Sequence, residues 1–127
     1  DFQNFKRRVE KERMDWMTSA QANVLKKLLP VFDELDNVVN LVQEQQAQEA
    51  TAWGKGLELS QKNWQKTLQE LGVEEISTSG MFDPELHEGL MQEETQDKQA
   101  GEIIRTFSKG YRFKGNVIRH AKVSVAK

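Results

Sequence analysis

Residues 1–47 contain no glycine and one proline, and apolar side chains recur along them at a helical interval. The stripe runs from Phe2 through Phe5 and Val9, past a polar turn near Glu12, then through Trp16, Ala20, Val24, Leu28, Val31, Leu35, Val38 and Val42. Eleven steps span forty residues, about 3.64 residues per step, nearer the ~3.67 of an eleven-residue repeat than the ~3.5 of heptads. A partner helix would therefore lie almost straight alongside. Pro30 falls inside the pattern and predicts a kink or a short break there, because it lacks an N–H and its ring crowds the preceding turn.

The stripe changes width along its length. Up to about Ala22 it is one residue wide and broken by charge, whereas from Val24 onward Leu25, Leu29, Phe32 and Val39 add a second row. A narrow seam suits contact between two helices, and a broad face suits a bundle. The seam from Phe2 to Ala22 is expected to fray before the bundle. A glutamine-rich stretch (Gln43, Gln45, Gln46, Gln48) leads to a second helical face, Trp53, Leu57, Ser60, Trp64, Leu68 and Leu71, with Gly72 placed as a C-cap. Two helices of this width cannot bury both faces against each other alone. Two copies of the hairpin would make a four-helix bundle, so the pattern itself points to a homodimer.

Composition agrees with that shape. Hydrophobic residues make up 37% of the 127, and counting the glycines raises this only to about 43%, under the ~45–50% of ordinary domains. A single sphere built from this chain would have a thin core. The absence of cysteine excludes a disulfide framework, a thiolate zinc site and a thiol nucleophile, and fits a reducing compartment. No apolar run approaches the ~20 residues that cross a bilayer, and no signal-peptide core opens the chain, so no membrane partner is expected. Asp1 already lies inside the helical pattern, which leads us to expect a natural segment ahead of it, with any targeting peptide included.

After Gly72 the period changes. Val73 to Ile76, His87 to Met91, Ile103 to Phe107, Tyr111 to Phe113 and Val117 to Val125 are short segments rich in β-branched or aromatic residues, separated by turn residues. Lys114-Gly115-Asn116 reads as a tight hairpin between Phe113 and Val117. The chain is thus α+β: a long N-terminal helix, a helical hairpin forming a dimeric four-helix bundle, and a small C-terminal all-β domain. The expected division is residues 1–72 for the long helix and dimerisation helices and residues 73–127 for the β-domain.

Chemistry-bearing residues are few. Asp83 and His87, with Glu85 and Glu88 nearby, have spacing too weak for a metal or acid–base cluster and read as a turn followed by a strand. His120, beside Arg119 in the basic C-terminal strand, reads as a surface or interface residue. No glycine-rich phosphate loop is present, since Gly54 and Gly56 lack the lysine-serine ending. An enzyme reading has no residues to stand on, and no cofactor or metal is expected. Residues 73–100 carry eight acidic groups and one basic, while residues 101–127 carry seven basic and one acidic. Nucleic acid would prefer the basic blocks, but the intervening acid argues against a continuous phosphate track. Trp16, Trp53 and Trp64 fall on the apolar stripes and read as core or dimer-interface residues. With them, Phe5, Val9, Val24, Leu28, Val31, Leu35, Leu57 and Leu68 make up the expected dimer interface.

Five blocks carry a family resemblance: DFQNFKRRVEKE (Asp1 to Glu12), LLPVFDELDNV (Leu28 to Val38), KGLELSQKNWQKTLQELGVEEI (Lys55 to Ile76), FDPELHEGL (Phe82 to Leu90) and GYRFKGNVIRHAKVSVAK (Gly110 to Lys127). In this order, over nearly the whole chain, they resemble GrpE, the nucleotide exchange factor of DnaK-type heat-shock chaperones. His120 departs from the small residue or proline frequent at its place. The resemblance implies a parallel homodimer with long paired helices, a four-helix bundle and β-domains that dock on the chaperone's ATPase domain, loosening ADP so that ATP can bind in protein folding and stress response. It implies a cytoplasmic protein, or one of the mitochondrial matrix or chloroplast stroma if a transit peptide has been removed. Within that picture the expected partner contacts are Gly72 at the junction, the apolar turn Met81, Phe82 and Pro84, and Arg119, Lys122 and Val125 along the final strand. Arg7, Arg8 and Lys11 would form a second contact on the long helix. The alternative is a structural coiled-coil dimer scaffold, which leaves the β-domain without a purpose.

Overall fold

A computed structural model describes residues 1–45 and 52–127; Gln46 and Gln48 of the glutamine-rich stretch lie outside the described residues. Helix α1 (Phe2–Gln45) has 44 residues and is therefore ~66 Å long. Asp1 caps it: its carboxylate accepts the Gln3 N–H at 3.1 Å, satisfying one of the free donors of the first turn. Pro30 lies inside α1, which runs through it without the break the sequence allowed. One proline removes one backbone hydrogen bond, and the rest of a long helix holds the segment in register.

The two apolar rows of α1 have different environments. Leu25, Leu29, Asp36 and Val39 are buried, whereas Val24, Leu28, Val31, Leu35 and Val38 remain exposed. The buried row faces α2 (Ala52–Glu70) and the strands. Leu25, Leu29 and Leu68 join Val73, Tyr111, Phe113 and Ile118 in one core, with Ala22 and Phe32 packed against it. Gly72 closes α2 as expected, its N–H donating to the Gln69 carbonyl at 3.0 Å and its φ at 93°, a left-handed conformation that favours glycine at a helix end.

Six strands follow: β1 (Val73–Glu75), β2 (His87–Glu93), β3 (Ile103–Ser108), β4 (Tyr111–Phe113), β5 (Asn116–Arg119) and β6 (Ala121–Ala126). They form two three-stranded sheets, ordered β1-β4-β5 and β2-β6-β3. The first is antiparallel throughout. Its β4–β5 hairpin turns on Lys114 at φ 48° and Gly115 at φ 82°, the two positive values a type I′ turn requires. In the second sheet β6 runs parallel to β2 and antiparallel to β3. Ile103, Ala121 and Val123 form its separate small core, with Phe82 and Val125 packed against it.

One sequence expectation is corrected here. The segment from Val117 to Val125 is not one strand: it bends at His120, leaving β5 in the first sheet and β6 in the second. The bend is one of three passages between the sheets, and all three meet at Gly110. Ile76, leaving β1, donates its N–H to the Gly110 carbonyl at 2.8 Å. Gly110 itself lies between β3 and β4, and a Cβ there would stand 2.4 Å from the Ala121 nitrogen. Only a residue without a side chain lets the two backbones approach so closely. Among the described residues, no helix is long and apolar enough to cross a membrane.

Candidate partner-binding surface

The apolar turn before β2 is held by a histidine. Nδ1 of His87 accepts the backbone N–H of Asp83 at 3.0 Å, so the ring proton sits on Nε2, which donates to the Ser77 carbonyl at 2.8 Å. His87 is buried, and both nitrogens are engaged within the chain. No lone pair is left for a metal, and the residue is a brace for the turn. The Asp83 carboxylate accepts the Glu85 N–H at 3.0 Å, and its carbonyl accepts the His87 N–H at 2.8 Å, closing the turn over Pro84.

The turn is also stitched to the start of β3. Phe82 donates its N–H to the Gly101 carbonyl at 2.9 Å, and Ile103 donates to the Gly80 carbonyl at 3.0 Å. The Phe82 ring packs on the Ile103, Ala121 and Val123 cluster and lies 5.9 Å from the His87 ring, centroid to centroid. Phe82 and Val125 thus belong in part to the second core. Met81, Pro84 and Lys122 are exposed. Leu90 and Met91 of β2 and Phe107 of β3 add further exposed apolar area.

Arg119 lies elsewhere. It ends β5 and does not lie along the final strand, and its guanidinium makes a two-pronged pair with Asp33 of α1, at 2.6 Å from Nη1 and 2.8 Å from Nη2. Its Nε donates to the Lys109 carbonyl at 2.9 Å, and the group stacks over Tyr111 at 5.4 Å. His120, next in the chain, is exposed at the corner between β5 and β6. Gly72 sits at the α2–β1 junction, near the Phe113 ring. Met81, Phe82, Pro84, Lys122 and Val125 are therefore gathered around the second sheet, while Gly72 and Arg119 lie at the first sheet and the helices.

Beside Arg119 is a polar knot of Asp36, Lys109, Gln61 and Glu75 with no motif in the sequence. Asp36 takes the fourth place in the inward row Leu25, Leu29, Phe32, Asp36, Val39, where a charge needs partners. It receives Lys109 Nζ at 3.1 Å and Gln61 Nε2 of α2 at 3.0 Å. Lys109 also lies 3.6 Å from Glu75. Burial, reinforced by the negative charges of Asp36 and Glu75, pushes the Tyr111 phenol well above its usual range. An acid in an otherwise apolar row was the available signal for this knot.

Of the expected dimer-interface residues, Leu68 is buried in the chain's own core, and Leu57 and Trp64 are half-buried. Phe5, Val9, Trp16, Val24, Leu28, Val31, Leu35 and Trp53 are exposed, Trp16 by 75%. Between α1 and α2 an open groove of about 330 Å3 is lined by Leu25, Leu28, Phe32, Trp64, Leu68 and Leu71 among others. So large a run of exposed apolar side chains is rare on a chain that stays alone.

Comparison with known proteins gives the family. The family model described as GrpE matches residues 1–127. Protein GrpE of Helicobacter hepaticus is 40% identical over 127 residues, which cover 100% of this chain and 68% of the relative. Protein GrpE of Nitratiruptor is 37% identical, covering 100% of this chain and 73% of the relative. For Protein GrpE of Caldanaerobacter subterraneus the identity is 39%, and the shares are 100% and 60%. With a family match that leaves no residue out, the chain belongs to the GrpE family.

Proposed function

We propose that the chain is a co-chaperone that promotes release of ADP from the ATPase domain of a DnaK-type heat-shock chaperone, letting ATP bind and substrate leave. The observation that carries the reading is the family match over the whole chain. The proposed working form is a homodimer in the bacterial cytoplasm. Residues 1–72 supply the long paired helices and half of a four-helix bundle, and residues 73–127 form the docking unit. The exposed row from Phe5 to Leu35 and the open α1–α2 groove support this, because a second copy would cover both.

The mechanism needs no catalytic side chain and no cofactor. A protein that binds the open, nucleotide-poor form of a cleft more tightly than the ADP-closed form weakens ADP affinity by the same factor. A coupling of ~3 kcal/mol corresponds to about 150-fold. The docking unit holds one lobe of the cleft outward, ADP leaves, and ATP closure then expels the dimer. Met81, Phe82, Pro84, Lys122 and Val125 are the proposed contacts, with Gly72 at the junction behind them. Arg119 contributes through its tie to Asp33.

Phe82 and Val125 also pack into the second core, so exposed Met81 and Lys122 are the cleaner probes. Calorimetric titration of the chaperone ATPase domain is expected to give at least about tenfold weaker binding, or ~1.4 kcal/mol, for a Met81→Ala, Lys122→Glu double variant. Unchanged affinity removes this face from the proposal.

A further inference from the structure

Two ion pairs join α1 to the strands at the points where the chain crosses between sheets. Lys109 sits at the β3-to-β4 passage and pairs with Asp36 at 3.1 Å. Arg119 sits at the β5-to-β6 passage and pairs with Asp33 at 2.6 Å. The two passages are tied to each other by the Arg119 Nε bond to the Lys109 carbonyl and by the close approach of Gly110 to Ala121. Asp33 and Asp36 lie one turn apart on α1, so two neighbouring points of one helix hold two neighbouring crossings.

The apolar cores do not do this work. The first core unites α1, α2, β1, β4 and β5, and the second comprises residues of the second sheet and its adjoining turn; they share no residue. The attitude of the β2-β6-β3 sheet relative to α1 is therefore set at the crossings. Arg119 is suited to setting an angle as well as a distance, because a planar guanidinium bonded through both Nη atoms fixes the orientation of its carboxylate partner.

We propose that Asp33–Arg119 and Asp36–Lys109 form a two-point clamp that holds the β2-β6-β3 sheet at a fixed angle to α1, making Arg119 and Lys109 positioning residues for nucleotide exchange. The role in exchange rests on the function proposed above; the clamp itself does not. A wedge can hold a lobe outward only if its joint resists the return force. With the clamp released the sheet still presents its contact face, so binding persists, but less of the binding energy reaches the cleft.

The test uses the full chain in two measurements. In stopped-flow release of a fluorescent ADP analogue from a DnaK-type chaperone, the Asp33→Asn, Asp36→Asn double variant is expected to lower the saturating release rate by about fivefold or more, the scale of a modest coupling. Its half-saturating concentration should move less than about twofold, a split that a merely misfolded fraction does not produce. Arg119→Lys, which keeps the charge and loses the fork, should show part of the loss, and the exchanged pair Asp33→Arg with Arg119→Asp should recover part of it. Because the chain has no cysteine, Lys27→Cys with Gln96→Cys accepts spin labels at those two places only. The α1-to-sheet distance distribution, measured with labelled chains diluted in unlabelled ones, should broaden in the double variant. An unchanged distribution overturns the clamp. A broadened distribution with an unchanged saturating rate overturns the positioning role. If the unaltered chain leaves ADP release unaccelerated, the exchange reading fails and takes the positioning role with it, while the distances still decide the clamp.

Discussion

Gly110 and Ala121 bring their backbones so close that a Cβ on Gly110 would stand 2.4 Å from the Ala121 nitrogen and 2.9 Å from its α-carbon. Both neighbours are backbone, so no side chain can swing aside. Every passage between the two sheets is bonded to this point or packed on it.

Gly110→Ala is therefore expected to destabilise the fold by ~2–3 kcal/mol, the upper range for overpacking. Gly56, in α2, has no atom within 4 Å of an added Cβ, so Gly56→Ala should gain ~0.5–1 kcal/mol from helix propensity. Urea unfolding checks both through the midpoint at constant slope.

His87→Ala removes both ends of the brace, leaving the Asp83 N–H and the Ser77 carbonyl without their ring partners. The expected loss is ~2–3 kcal/mol, with faster amide exchange from Ser77 to His87. Unaltered exchange in that segment would contradict the bracing role.

Tyr111 is the single tyrosine, so tyrosinate absorbance reports on it alone. Its folded pKa is raised, first by burial and then by Asp36 and Glu75, whereas the unfolded chain ionises near the ordinary value of about 10. A raised acid favours the folded state fully below the unfolded value, and that contribution is lost as pH rises above it. Tyrosinate should appear together with the loss of helical circular dichroism in alkaline titration. Ionisation near pH 10 with the helix intact would contradict the burial.

Val24 and Leu28 lie on the exposed row of α1. Placing carboxylates there, as Val24→Asp with Leu28→Asp, should cost a paired helix several kcal/mol, since a charge buried at an apolar contact finds no partner. Sedimentation equilibrium is expected to show a dimer for the unaltered chain and a monomer for the variant. A monomer in both would remove the dimer from the proposed function.

The local features were legible. The period of the apolar stripe marked α1, Gly72 marked the end of α2, and Lys114-Gly115 marked the hairpin, because each depends on residues close in sequence. The pairing of β2 with β6 was not legible, since parallel partners separated by three other strands leave no local signature. The bend at His120 was hidden because the residues on both sides have strand character. Arg119 read as a partner contact along the final strand, because its own partner within the chain, Asp33, stands 86 positions away. For the contact surface, the turn at Met81, Phe82 and Pro84 was visible as an apolar cluster beside a turn. The brace behind it was not, because His87 engages Ser77 and Asp83 through their backbones, which carry no sequence signal.

The most direct measurement is the rate at which a DnaK-type chaperone ATPase domain, loaded with a fluorescent ADP analogue, releases it on stopped-flow mixing with the chain. The release rate should climb with chain concentration to a plateau on the order of 100-fold above the spontaneous rate, a coupling of ~3 kcal/mol. A rate that stays at the spontaneous value while the chain is shown to be bound would contradict the proposed function.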